Sequence, residues 1–248
     1  MNNERALQHL PNQGSGLIVR AGIPGGLVAR GRNQAARLMA ERPQADPSEE
    51  TRPRKPGVLS EADLELARGA LYYYGGSVYP QDFEKAAMWF RKAADKGVVE
   101  AQYHLGHQYD YGQGVTQSHV LAASWYQMAA KQGYAPAQNM LGLLYELGQG
   151  VPKSFPLAEK WFRQAADRGL PSAQRWLGDN YYHGRGVPRD YEQAYFWLYL
   201  ATTNRERSIL DKHAAARDAA AAKLTSKEIS EQVARAKRWL ADHPPREY

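Results

Sequence analysis

The chain has 248 residues, a formal charge of +6 and no cysteine, which excludes disulfides, thiolate catalysis and cysteine-ligated zinc together. No run of 18 apolar residues occurs, so no helical membrane span is expected. The charge is uneven. Residues 1–57 hold nine Arg or Lys against five Asp or Glu, and the remainder is too close to neutral to favour a nucleic-acid partner.

In chain order, Met1-Asn2-Asn3-Glu4-Arg5 is not a basic segment leading into an apolar one, and Leu17-Ile18-Val19 is followed at once by Arg20. A cleavable secretory signal is therefore not expected. Arg5 to Ala40 carries arginines and no acids, a transit-peptide-like composition, but Pro11, Pro24 and several glycines interrupt it. A cytoplasmic location is expected, with export by a route that needs no such signal as the alternative. Gly14, Gly16, Gly22, Gly25 and Gly26, then Pro43, Pro47, Pro53 and Pro56, leave too little apolar surface to offset chain entropy. Residues 1–57 read as a disordered basic arm in which only Asn33 to Glu41 looks helical, with Ala35, Ala36, Leu38 and Met39 for one face. The glycines lack the G-x-x-x-x-G-K-[ST] spacing and a flanking strand, so they do not form a phosphate loop.

Order is expected from Ser60, a hydroxyl with Asp63 three residues on, which signals a helix start. Beyond it a 36-residue period appears: Trp89, Trp125, Trp161 and Trp197, with Ala86, Ala122, Ala158 and Ala194 ahead of them. Gly97, Gly133 and Gly169 follow the first three, and Ala101, Ala137 and Ala173 come next. Self-similarity at such a period marks stacked helical pairs rather than a single central core. In the second unit, helix A covers Ala101 to Tyr109 and stops at Gly112 and Gly114, and helix B runs from about Ser118 to Lys131 and closes at Gly133. The third and fourth units repeat this through Leu141-Gly142, Tyr145 and Gly148-Gln149-Gly150-Val151, then Leu177-Gly178, Tyr181 and Gly184-Arg185-Gly186-Val187. The first unit is degenerate, with Gly69-Ala70 in place of Leu-Gly but Tyr73, Gly76, Ala86, Trp89 and Ala93-Ala94 retained. The tryptophans are expected in the buried seam between units. Past Asn204 the period fails. Ile209 to Leu224 and Ser226 to Ala241 read as two further helices, the second opened by the Thr225–Glu228 capping box and striped by Ile229, Val233, Ala236 and Leu240.

The unit A-x-x-x-L-G-x-x-Y-x-x-G-x-G-V followed by A-x-x-W-x-x-x-A-A-x-x-G resembles the Sel-one-like repeat, a branch of the tetratricopeptide superfamily. It is carried here by Ala101, Leu105, Gly106, Tyr109, Gly112, Gly114, Val115, Ala122, Trp125, Ala129, Ala130 and Gly133, with copies 36 and 72 residues on. Asp82 and Asp190 keep the acid usual before helix B, while Ser118 and Ser154 replace it. The resemblance, which covers about Glu61 to Asn204, implies an all-α, right-handed α-solenoid, here of about four helix-turn-helix units over residues 58–204; residues 205–248 read as its helical cap, because terminal repeats must present a polar outer face. It also implies an adaptor or scaffold for other macromolecules, since members are not enzymes as a rule.

Units compared with each other separate scaffold from variable positions. On a wheel at about 100° per residue, Ala101, Gln102, Leu105, Gly106 and Tyr109 share one arc, expected to pack. The opposite arc, which in tetratricopeptide arrays lines the concave groove, holds Tyr103, His107, Asp110 and Tyr111, then Asn139, Leu143, Glu146 and Leu147, then Arg175, Asp179, Tyr182 and His183. These are the candidate partner-binding residues, rich in the aromatic and Arg side chains that form interface hot spots. His104 and His107 stand three apart with Asp110 three further on, but no zinc motif accompanies them, and neither metal nor cofactor is expected. No nucleophile elbow, P-loop or acid–base constellation is visible. The expected function is thus non-enzymatic binding of a protein or peptide in the groove. The alternatives are a hydrolase-like enzyme acting on cell-wall or lactam-like substrates, as proposed for some relatives, or a module anchored through its basic arm to nucleic acid or anionic membrane.

Overall fold

The computed structural model describes residues 60–76, 79–203 and 207–243. The expected disordered arm and the Asn33–Glu41 helix lie outside the described residues. Ten helices and no strand occur among those described: α1 Glu61–Tyr74, α2 Phe83–Asp95, α3 Val99–Tyr111, α4 His119–Lys131, α5 Ala135–Leu147, α6 Phe155–Asp167, α7 Pro171–His183, α8 Tyr191–Thr203, α9 Arg207–Ala221 and α10 Ser226–Asp242. None of the described helices is long and apolar enough to cross a membrane. Each helix packs chiefly on its neighbours in chain order, which is the one-dimensional architecture of an α-solenoid. The exceptions are at the C-terminal end, where α8 is covered by both α9 and α10.

The repeat is built from end chemistry. Every helix B opens on a side-chain cap: Asp82 Oδ1 accepts from the Lys85 N–H at 2.9 Å, Ser118 Oγ from Leu121 at 3.3 Å, Ser154 Oγ from Leu157 at 3.4 Å and Asp190 Oδ1 from Gln193 at 2.9 Å. The first three close on a Schellman motif. After α4, Tyr134 N–H reaches Ala129 O at 3.2 Å and Gly133 N–H reaches Ala130 O at 3.0 Å, with Gly133 at φ +85°. Tyr134 is also the N-cap of α5, as Val98 and Leu170 are of α3 and α7. One residue therefore ends helix B and begins helix A, and the angle between units is set by a single turn. Gln102, Gln138 and Gln174 donate to the carbonyls of Ala94, Ala130 and Ala166 at 3.3, 3.1 and 3.3 Å, satisfying helix B ends across each unit boundary.

Within a unit, a helix A glycine lets a large helix B side chain close over it. A Cβ at Gly142 would stand 2.7 Å from the Phe162 ring, and one at Gly106 would stand 2.8 Å from Tyr126. Gly69 has the same relation to Phe90. The first unit, degenerate in sequence, therefore keeps this closure. Its glycine is present but shifted by one residue, because the loop from Gly75 to Asp82 is one residue longer than that from Gly112 to Ser118. Tyr72, whose carbonyl accepts the Asp82 N–H at 2.9 Å, is the counterpart of Tyr109, and Tyr73 is the counterpart of Asp110.

The tryptophans are a second correction. Trp89, Trp125 and Trp161 are only half-buried, and Trp197 alone is buried. The core is filled by the residue after each: Phe90, Tyr126, Phe162 and Leu198 are fully buried, each contributing about 2–3 kcal/mol by area removed from water. Trp197 differs because α10 lies over it, with Trp239 at 6.4 Å between ring centroids. Two of the tryptophans, Trp125 and Trp197, also join units through cations. Arg91 donates to the Tyr109 hydroxyl and lies 6.0 Å from the Trp125 ring, and Arg163 repeats this with Tyr181 and Trp197. At the intervening register stands Gln127. Gln127→Arg should add a third clip, toward Tyr145 and Trp161, and stabilise the fold by about 0.5–1 kcal/mol, read as a higher midpoint in urea with unchanged slope.

Candidate partner-binding face

Helix A residues on the far side from helix B are more enclosed than a two-helix wheel implies. Tyr103, Asp110, Asn139, Leu143 and Glu146 are buried, while His107, Tyr111, Arg175, Asp179 and Tyr182 are half-buried. Leu147 and His183 are exposed. The expected open arc is thus closed at five of its positions. The physical reason is a third layer of contacts: Tyr103 meets not only Tyr126 of its own unit at 5.8 Å but also Tyr134 of the next at 5.4 Å. His104, three residues before His107, is also buried, its ring stacked on Phe90 of the preceding unit at 4.7 Å. Trp176 stands at the same register two units on and stacks on Phe162 at 6.0 Å.

What stays accessible is the C-terminal end of each helix A. Tyr111, Leu147 and His183 hold the last helical position before the left-handed glycines Gly112, Gly148 and Gly184, and so form a row of large side chains at the solenoid period. His107 packs its ring against Tyr111 at 4.4 Å, and Tyr182 lies edge-on to His183 at 4.9 Å. Arg175 pairs with Asp179 at 2.8 Å along α7.

Two loop residues that the sequence did not single out complete this face. Gln113 accepts from the Tyr73 hydroxyl at 2.9 Å, and Arg185 pairs with Glu146 at 3.2 Å. Both are the middle residue of the G-x-G loop, and both reach back to the same register of the preceding helix A. A signal existed in the chain: the loop residue is Gln where the partner is Tyr and Arg where the partner is Glu. Asp110 instead pairs with His119 at 2.8 Å, and the Gln117 amide donates to its carbonyl at 2.7 Å, fastening α3 to the start of α4.

The electrostatics follow burial. Desolvation raises the Asp110 and Asp179 carboxyls above the ordinary range, opposed at Asp110 by His119 and at Asp179 by Arg175, Arg185 and His183. Burial lowers His104 to about 3, helped by His107, and lowers His107 to about 4 against the hydrogen bond of Gln113. The two imidazoles are therefore neutral packing groups at pH 7. No group of three or more His, Asp or Glu arranged to hold a metal occurs among the described residues. Because both histidines bind protons less readily folded than unfolded, stability is fully present above about pH 6.5 and is lost as pH falls toward 4 and 3. The melting temperature should fall between about pH 6.5 and 5, ahead of most carboxylates. His104→Met, which installs the residue standing at this register as Met140, should flatten that fall.

Comparison with known proteins agrees with this architecture. A family model for the Sel1 repeat matches residues 60–98, 99–134, 135–170 and 171–204. The structure described as c5321, a protective antigen of uropathogenic Escherichia coli displaying an SLR fold, is 33% identical with a TM-score of 0.68, over 74% of this chain and 38% of that one. A Sel1 repeat protein from Oxalobacter formigenes is 31% identical with a TM-score of 0.55, over 73% of this chain and 55% of that one. The chain thus spans between about a third and just over half of the length of these two. Comparison with curated proteins gives no match. Sel1 repeats serve as scaffolds for protein–protein interaction and are typically not enzymes. With four consecutive repeats matched over residues 60–204, the chain belongs to the Sel1 repeat family.

Proposed function

We propose that the protein is a non-enzymatic adaptor that holds an extended segment of a partner protein along the C-terminal ends of its A helices. The observation that carries this reading is the row Tyr111, Leu147 and His183, supported by His107, Arg175, Asp179 and Tyr182. The scaffold beneath the row repeats every 36 residues, while the row itself changes chemistry at each step. Rigid helices hold these side chains at fixed spacing, so little ordering entropy is lost on the protein side when a peptide docks. Alternate side chains of an extended peptide could address successive units, the aromatic end first and the charged end last. The buried residues Tyr103, Asp110, Asn139, Leu143 and Glu146 shape the floor under the row rather than touching the ligand.

Selection of phage-displayed peptides on the full chain tests this. Peptides enriched on the protein should bind the triple variant Tyr111→Ala, Leu147→Ala, Tyr182→Ala at least about tenfold more weakly, since each truncated anchor is worth on the order of 1 kcal/mol or more. Helicity should stay nearly unchanged, and the melting temperature should fall by only a few degrees, since Tyr111 and Tyr182 are half-buried rather than core. Enriched peptides that bind both proteins equally, or a selection that yields nothing above background, would overturn the reading.

A further inference from the structure

A second surface lies on the outside of the solenoid. Met88, Val120, Leu121, Met128 and Leu157 are between 40 and 62% exposed, and all five belong to the B helices of the first three units. Scattered exposed apolar residues are ordinary, but a contiguous set is not. Val120, Leu121, Ser124 and Met128 share one outward arc of α4 by helical spacing, and Met88 of α2 and Leu157 of α6 occupy the same arc one unit either side.

The chain itself shows what covers this arc. On α8 the equivalent positions are Glu192, Gln193, Phe196 and Leu200, and α10 lies over them. Gln232 of α10 donates to Glu192 at 2.7 Å, and the Arg235 guanidinium sits 3.9 Å above the Phe196 ring. Ala236 is fully buried in one cluster with Phe196, Trp197 and Leu200, and Trp239 and Leu240 pack against that cluster. An amphipathic helix therefore fits across a B helix at this register, and Phe196 and Leu200 are buried as a result. On α4 the same register is apolar and open. The corresponding positions on α6 are Pro156, Leu157, Lys160 and Gln164, polar at the middle and end of the arc, so the apolar centre is confined to α4 and its immediate neighbours.

Charge decides what kind of helix fits. The arc of α4 carries one charge, Lys131, and the registers flanking its middle carry Lys92 on α2 and Lys160 on α6, while the acids Glu84, Asp95 and Asp167 stand at the two ends of the arc, all exposed. We infer that the outward face of α4 binds an amphipathic helix of a partner protein, its apolar stripe seated on Val120, Leu121 and Met128. Its acidic flanks meet Lys92, Lys131 and Lys160. The docking repeats that of α10 on α8, two units along. This site is separate from the A-helix row and stands or falls without it.

The probe is a fluorescent peptide of residues Thr225 to His243 carrying Lys227→Glu, Lys237→Glu and Arg238→Glu, positions that are exposed in α10. It keeps the stripe that covers α8 and adds acidic flanks. Fluorescence anisotropy with the full chain should show saturable binding, weakened by added salt. Leu121→Glu together with Met128→Glu, both solvent-facing, should weaken it about tenfold or more while leaving helicity intact. Absence of saturable binding, or equal binding by the double variant, would overturn the inference. So would two other results removed by the same double variant: attachment to phosphatidylglycerol vesicles without peptide binding, which assigns the face to a membrane, and a concentration-dependent dimer in sedimentation, which assigns it to a second copy.

Discussion

Gly150→Ala is expected to destabilise the protein by about 3 kcal/mol or more, the sum of a non-glycine residue in left-handed backbone and a steric overlap that cannot relax. Gly150 has φ +70°, and a Cβ there would overlap the carbonyl of His119, the first residue of α4 in the preceding unit. The obstruction is backbone at a capped helix start, so no rotamer change relieves it. Gly114 against Phe83 of α2 has the same geometry. The control is Gly169→Ala, where φ is +86° but nothing lies within 4 Å of the added Cβ. That variant carries the backbone strain alone, about 1 kcal/mol. Thermal melts followed by circular dichroism should separate the two by several degrees, at roughly 2–4 °C per kcal/mol for a domain of this size. Equal losses in both variants would show that the G-x-G-V loop does not hold the units together through close backbone approach.

Asn180→Leu is expected to act in the opposite direction. Asn180 is fully buried on α7, and neither its amide nitrogen nor its amide oxygen has a hydrogen-bond partner. At the same register Gln108 donates to the Phe83 carbonyl at 2.9 Å, and Leu144 is simply apolar. Asn180 is too short to copy the glutamine and too polar to copy the leucine. Removing an unsatisfied buried amide is worth about 1–3 kcal/mol, part of which is offset by fitting a bulkier side chain. A net gain of about 1–2 kcal/mol is expected, as a higher denaturant midpoint with unchanged slope. A loss of stability would mean that the amide is bonded through water in the folded protein.

The two variants show how unequally the chain displays its own structure. Gly150 could be read from the sequence as a loop glycine, because a G-x-G pair recurring at a fixed interval marks a turn repeated in every unit. That its missing side chain makes room for the carbonyl of His119 could not, since His119 belongs to a different unit. Asn180 gave no signal in either direction. A single Asn in a helix is ordinary, and its isolation depends on neighbours supplied by tertiary packing.

The candidate binding face divides the same way. The wheel placed Leu147 and His183 on the open side, and both are exposed. It treated each helix as packed on one side only, so it left open positions such as Tyr103 and Asn139 that the next unit closes. The tryptophans were misassigned for the converse reason. Periodicity marks a residue as structural without saying whether it fills the core, like Phe162, or joins neighbouring units at the surface, like Trp125.

Taken alone, the sequence determined the number of units, their boundaries, their caps and their turns, because these are settled by residues within a few positions of one another. Ser60, Asp82, Gly133 and Thr225 act through local hydrogen bonds and backbone angles, and the chain states them directly. Which side chains remain open to a partner was decided only by the tertiary structure. Exposure depends on groups brought together from successive units and from the terminal helices, as when α10 buries Trp197 while Trp125, in the same sequence setting, stays half-open.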